Sequence, residues 1–400
     1  MFAVFTYMLV LYYLFLYYIG VSPYVATVKR VCTLISKQNI FYVKVLQWFT
    51  QTACRDDPEL RSFFHGFKNN VAYTDADIDY GTIRHLTNAA RKNKDRLTFD
   101  SYTPLNSGTV ALVFSGTLND QPVVVKLLRK RIRGRMESMF KTLLLLRFFT
   151  RVNIVRILED VRDNFYTQVD FLREGQNAEL FYQKFRLNKN VVIPKVYHAY
   201  TGSNVLVMDR LTPRYDQSLW TETDARQFCK LFTQFIVASY FIKDIYHGDL
   251  HMGNLVFLKV GDQHRLGVID FGLVGQLNVT NQNFIYGLFE LFQNSCYTAV
   301  VALYVDYIFA VNGQTDEALK EKITAELTAR MEAAGSTDMG QLSHKHIYIL
   351  LSVSDYGLTY DKNMHLFLFS LLSMTDTMKA LRSDDEKDNS LFHIMNQVNR

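Results

Sequence analysis

Residues 1–28 of this 400-residue chain carry no charged side chain, and the first twenty, MFAVFTYMLVLYYLFLYYIG, are apolar or aromatic almost throughout. Such a run must leave water, and at about 1.5 Å per residue in a helix it is long enough to cross a hydrocarbon core of roughly 30 Å. It lacks the positive start of a signal peptide and the arginines of a transit peptide, so an uncleaved anchor is expected. Six tyrosines within the first 24 residues suit an interfacial belt. The first charges, Lys29, Arg30, Lys37 and Lys44, follow the run. The positive-inside rule then puts the body on the cytosolic or mitochondrial-matrix side of a single-pass membrane protein.

The rest of the chain has the make-up of a folded protein. Hydrophobic residues are 48% and charged ones 21%, which excludes a disordered chain and a multi-span transporter. The net charge of +5 equals the five cations at Arg129, Lys130, Arg131, Arg133 and Arg135, so nucleic acid is not an expected partner. That run reads as the solvated start of a helix, or as a contact for anionic headgroups at about 1 kcal/mol per basic residue. Cys32, Cys54, Cys229 and Cys296 have no metal-binding spacing and suit a reducing compartment.

Alternation and β-branched runs predict strands near 100–106, 110–118 and 122–128, with a turn at Asn119 and Asp120. Helical periodicity follows over 135–150 and 164–186, then a strand pair near 195–211. From residue 222 the pattern is mainly helical. A strand-rich half followed by a helix-rich half predicts an α+β fold of two lobes with a cleft between them. The expected divisions are a membrane segment at 1–28, a helical extension at 29–98, a sheet-bearing lobe at 99–211 and a helical lobe at 212–400.

Chemistry concentrates in two short stretches, His247-Gly248-Asp249-Leu250-His251-Met252-Gly253-Asn254 and Val268-Ile269-Asp270-Phe271-Gly272. Phosphoryl transfer needs a carboxylate to orient the attacking hydroxyl, and an Asn with a second Asp to hold Mg²⁺ on the phosphates. Asp249, Asn254 and Asp270 supply these parts in the order that protein-kinase-like folds use, with a hydrophobic strand entering Asp270. Upstream, Val123-Val124-Val125-Lys126 places a lysine on a strand, able to reach ATP phosphates. Glu174, on the following helix, is its expected ion-pair partner, with Asp170 and Asn177 on adjacent turns. His247 and His251 flank Asp249 and are expected to order the loop backbone rather than bind metal. The segment Ser107-Gly108-Thr109-Val110-Ala111 is the expected nucleotide loop, with one glycine where protein kinases have three. Met208 is counted with the nucleotide-binding residues.

Together these elements resemble the UbiB/AarF (aarF-domain-containing) atypical kinases over roughly residues 40–382. Lys44-Val45-Leu46-Gln47 is similar to that family's Lys-x-Gly-Gln motif, Ser107–Ala111 to its alanine-rich loop, and Gln168-Val169-Asp170 with Glu174 and Asn177 to its Glu-x-Asp helix. His247–Asn254 resembles its catalytic loop and Asp270–Gly275 its metal motif. Leu46, Gln168 and Met252 depart from the family pattern at a Gly, a Glu and a Pro. The resemblance implies a bilobal protein-kinase-like fold with a small antiparallel N-lobe, a helical C-lobe, and an N-terminal extension whose Lys44 and Gln47 line the cleft. It also implies ATP and Mg²⁺ as cofactors, Mg²⁺ at Asn254 and Asp270, and a kinase or ATPase acting near membrane lipid or with quinone-pathway proteins, by family in mitochondria. A small-molecule phosphotransferase of the aminoglycoside or choline kinase type, and a non-catalytic nucleotide-binding scaffold, are the competing expectations.

Overall fold

The computed structural model describes residues 2–39, 41–42, 59–60, 63, 71–145, 162, 165–213, 217–260, 263–294, 296–334 and 344–381. They form two compact units, Met1–Gln176 with Lys195–Arg210, and Asn177–Pro194 with Leu211–Arg400.

The first unit opens with helices α1 (Phe2–Tyr18) and α2 (Tyr24–Gln38). The expected membrane span does not form: among the described residues no helix is long and apolar enough to cross a membrane. The charge-free run is cut by a helix stop. Gly20 takes a left-handed φ of +75°, letting the Val21 N–H turn back to the Leu16 carbonyl at 2.9 Å, and Pro23 caps the next helix. What remains is a helix of 17 residues, about 26 Å long and short of the roughly 30 Å required. α2 packs beside it, with the Tyr17 and Tyr24 rings 5.9 Å apart and the Arg30 guanidinium 5.3 Å from the Tyr13 ring centre. The single-pass assignment is thereby withdrawn.

After helix α3 (Tyr80–Lys92) come strands β1 (Leu97–Phe99), β2 (Asn106–Ser107), β3 (Ala111–Leu118) and β4 (Gln121–Leu128), helix α4 (Ile132–Leu145) and helix α5 (Phe171–Phe185). Strand β5 (Val191–Val192) belongs to the second unit, and β6 (Val205–Asp209) returns to the first. The sheet order is β1-β3-β4-β6, with β2 paired to β3, all antiparallel. β3 and β4 join through a two-residue turn in which Asn119 and Asp120 have φ of 50° and 66°, a conformation that Asn and Asp tolerate. The strand expected over 100–106 does not form: residues 100–105 are irregular, between β1 before them and the short β2 that begins at Asn106.

Side chains alternate across this sheet. Leu112 and Phe114 of β3, Val123, Val125 and Leu127 of β4, and Val207 of β6 form one core with Ile83, Leu86 and Ala90 of α3. The other face therefore carries Lys126, with Val113 opposite it on β3 and Leu206 on β6, while Met208 pairs with Val124. The basic run after β4 is divided. Arg129 is wholly buried and Arg135 is half-buried in its pair with Asp77, while Lys130, Arg131 and Arg133 are exposed, Arg133 donating to Asn204 Oδ1 at 2.7 Å and to the Val169 carbonyl at 2.9 Å.

The second unit continues with helix α6 (Glu222–Val237), which runs into a π-turn at Ala238–Ile242, and strands β7 (Ile245–His247), β8 (Leu255–Val260), β9 (Gln263–Val268) and β10 (Val274–Gln276). Helices α7 (Val279–Gln293), α8 (Tyr297–Asn312), α9 (Glu317–Ala334), α10 (His344–Leu351) and α11 (Lys362–Leu381) complete it. β5-β9-β8 form one sheet and β7-β10 a ribbon, so this half holds more strand than its helical pattern predicts. Strands of three to six residues are too short to register against the apolar helices around them.

Candidate phosphotransfer site

The sequence-predicted residues fall into two clusters, one in each unit. In the first, β4 presents Lys126 and the first turn of α5 presents Glu174. The Lys126 ammonium donates to Glu174 Oε1 at 2.6 Å, with both side chains buried. A buried pair of this kind holds only with close geometry, since each charge has given up its hydration. The Phe171 ring, at 5.6 Å from the ammonium, adds its face to the lysine's surroundings.

The expected nucleotide loop is the connection from β2 to β3. The Gly108 N–H donates to the Ala111 carbonyl at 2.9 Å, closing a tight turn, and Ser107 lies opposite Leu112 of β3. The Ser107 hydroxyl is buried, donating to the Val71 carbonyl at 2.6 Å and accepting from Arg129 Nη2 at 2.8 Å. Thr109 is buried and Val110 half-buried, and the Val110 carbonyl accepts the Arg129 N–H at 3.0 Å. Met208 is buried on β6. Lys44 and Gln47 lie outside the described residues.

In the second unit, β7 ends at His247 and the chain turns sharply through Gly248. A Cβ on Gly248 would stand 2.8 Å from Leu366 Cδ1 and 3.1 Å from Leu273 Cβ, so a side chain here would have to displace its neighbours. His247 Nδ1 accepts the Asp249 N–H at 3.1 Å, ordering the backbone at that carboxylate. Burial lowers the pKa of His247, against the opposing pull of Asp249 and Asp270, and keeps the ring neutral. His251 Nδ1 accepts the Gly253 N–H at 3.0 Å, leaving Nε2 3.8 Å from Asp249 Oδ2. Asn254 is buried and its Nδ2 donates to the Asp249 carbonyl at 2.9 Å. The Ile269 N–H donates to the Asn254 carbonyl at 2.9 Å, which ties the stretch around Asn254 to the one entering Asp270.

Asp270 sits at φ 64°, in the left-handed region that Asp enters more readily than most residues. Its Oδ1 accepts the Gly272 N–H at 3.3 Å. The next residue, Phe271, is buried with its ring 5.1 Å from Phe181 and 5.6 Å from His247, and its carbonyl accepts Asn177 Nδ2 at 2.9 Å. Sequence reasoning missed Arg129 and Asp77, and the ring cluster of Phe181, His247 and Phe271. The Phe271–Phe181 contact joins residues some ninety positions apart, for which one chain carries no local signal.

Residues 76–304 match the model of the ABC1 atypical kinase-like domain. The chain belongs to that family. The ABC1 assignment fixes the fold class as kinase-like, in agreement with the mixed helix and sheet content. Among curated relatives, "Probable protein kinase UbiB" of Photorhabdus laumondii is 27% identical over 249 residues, covering 58% of this chain and 46% of that protein. An uncharacterised chloroplastic aarF domain-containing protein kinase of Arabidopsis thaliana is 29% identical over 195 residues, covering 44% of this chain and 35% of its own length. The chain thus spans less than half the length of these relatives. A solved complex of Rv3197 with erythromycin from Mycobacterium tuberculosis superimposes with a TM-score of 0.46 at 14% identity, over 77% of this chain and 88% of that one.

Proposed function

We propose that this ABC1-family chain is an ATP-dependent phosphotransferase or ATPase of the UbiB type, acting in lipid or isoprenoid-quinone metabolism. The single observation that carries the reading is the buried Lys126–Glu174 ion pair at 2.6 Å, within the segment that matches the family. A buried lysine fixed by a carboxylate on a helix is the device that kinase-type sites use to hold α- and β-phosphates. The UbiB relatives are named as probable protein kinases, which supports phosphoryl transfer as the chemistry.

In this reading Lys126 binds the phosphates, Glu174 aims it, and the Ser107–Ala111 turn offers backbone N–H groups to the nucleotide. Asp249 orients the acceptor hydroxyl or water and takes its proton as the new bond to phosphorus forms and the bond from the γ-phosphorus to the bridging oxygen breaks, with ADP leaving. Asn254 and Asp270 fit Mg²⁺. The amide nitrogen of Asn254 is spent on the Asp249 carbonyl, which reserves its oxygen for a cation, and Mg²⁺ favours one or two hard oxygen ligands completed by phosphate and water. Bound there, the ion would neutralise charge on the phosphate oxygens.

The test is thermal unfolding of the full chain with MgATP. Wild type is expected to gain about 2.7 kcal/mol at a nucleotide concentration about 100 times Kd, and Lys126→Ala and Asp270→Asn to gain nothing. Equal stabilisation of both variants would overturn the proposal.

A further inference from the structure

Arg129 follows β4 directly, three residues beyond Lys126, and its side chain is fully shielded from solvent. Its Nε donates to the Gly108 carbonyl at 2.9 Å. Its Nη2 reaches Ser107 Oγ at 2.8 Å, the Val71 carbonyl at 3.1 Å and the Ala72 carbonyl at 3.3 Å. Its Nη1 donates to Asp77 Oδ2 at 3.1 Å. Asp77 in turn accepts Arg135 Nη1 at 3.0 Å and the Thr74 N–H at 3.0 Å. One guanidinium therefore grips the turn between β2 and β3, the strand end that follows Lys126, and the segment 71–77. Its charge is balanced by a carboxylate that two arginines share.

The grip has a geometric consequence. A trans peptide holds its C=O and the next N–H antiparallel. With the Gly108 carbonyl drawn onto Arg129 Nε, the Thr109 N–H must point the opposite way, out of the brace. A glycine-rich loop reaches such a conformation through its own backbone freedom. This loop has a single glycine, and a Cβ on Gly108 would meet only an ordinary contact, the Ala111 carbonyl at 3.5 Å. The shape is thus imposed from outside the loop, by a planar donor fork that no other side chain provides.

Resting on the nucleotide-binding reading above, we propose that Arg129 is a positioning residue that sets the nucleotide loop, and that Asp77 holds Arg129 for that task. It touches no phosphate. It fixes which backbone N–H groups face one.

The deciding variant is Arg129→Lys in the full chain. It keeps the buried charge beside Asp77 but cannot reach Gly108, Ser107 and Val71 together. Two readouts are taken: amide exchange without nucleotide, and binding of a fluorescent ATP analogue with Mg²⁺. Exchange at Gly108 and Val71, whose N–H groups bond the Ala111 and Ser107 carbonyls, is expected to rise about tenfold against the rest of the sheet. Affinity is expected to fall by about tenfold or more, the scale of a loop displaced by a fraction of an ångström to an ångström. A residue that served stability alone would lower the melting temperature without either local change, and that result overturns the inference, as does faster exchange at unaltered affinity. Should Arg129→Lys fail to fold, Asp77→Asn and Ser107→Ala decide by the same two readouts, and wild-type values in both overturn it. Absence of analogue binding in wild type itself would overturn the phosphotransferase reading and this inference with it.

Discussion

The two clusters are built on different physics. Around β4, position is set by buried charge: Lys126 with Glu174, and Arg129 with Asp77. Around β7 and Asp270 it is set by rings and backbone bonds. Phe271 packs at a tilt against Phe181 and His247, the Tyr246 hydroxyl donates to the Asn363 carbonyl at 2.6 Å, and the Thr377 hydroxyl donates to the Leu250 carbonyl at 2.7 Å. Charge fixes direction sharply but tolerates no lost partner, because a lone buried ion costs several kcal/mol. Packing tolerates the loss of one polar contact and resists changes in volume.

The largest effect should come from halving a charge pair. Glu174→Leu removes the carboxylate 2.6 Å from the buried Lys126 ammonium and is expected to cost about 3–5 kcal/mol in denaturant unfolding. Adding Lys126→Met removes the buried ammonium as well, and most of that stability should return while ATP binding stays lost. If the double variant is no more stable than the single one, the pair is not the element that governs stability in this cluster.

Acid should separate the two regions. His365 lies on α11, the helix whose Asn363 and Leu366 support the turn at Gly248, and it is sandwiched by Tyr360 at 5.0 Å and Phe369 at 4.8 Å. Burial lowers its pKa to about 4. Its neutral form therefore contributes stability that is complete above the ordinary value near 6.5 and is lost as pH falls toward 4, by up to about 3 kcal/mol. Asp77 behaves differently. Burial alone would raise its pKa, but the Thr74 N–H, Arg129 and Arg135 outweigh that and bring it below 3.8. Its contribution persists above that value and is lost only at lower pH. Amide exchange between pH 6.5 and 4 should thus loosen α11 before the Arg129 brace, and His365→Phe should flatten that slope. Simultaneous loosening would contradict the contrast.

What the sequence made legible follows the same division. Short motifs whose parts are close in the chain, such as Asp249 to Asn254 or the Asn119-Asp120 turn, could be placed because local geometry decides them. The partnership of Lys126 and Glu174 was readable because a strand followed by a helix leaves few arrangements. Arg129 was not. Within a run of five cations it looks like its solvated neighbours, and its burial depends on Asp77, 52 residues earlier. The apolar N-terminus misled for the opposite reason. Its composition suits a span, whereas Gly20 and Pro23, two residues of ordinary frequency, end the helix at Tyr18.

The smallest expected effect probes the packed cluster. Thr377→Val removes one hydroxyl of nearly the same volume, leaving the Leu250 carbonyl without that donor beside Asp249. A neutral buried hydrogen bond contributes about 1 kcal/mol, so thermal unfolding should fall by that amount. ATP affinity should remain within about twofold, because the loop is also held by the His247 and Asn254 bonds to Asp249 and by the packing of Phe271 against His247. A loss of affinity as large as that of Glu174→Leu would mean that single polar contacts govern both clusters alike, and the distinction between a charge-set and a packing-set cluster would fall.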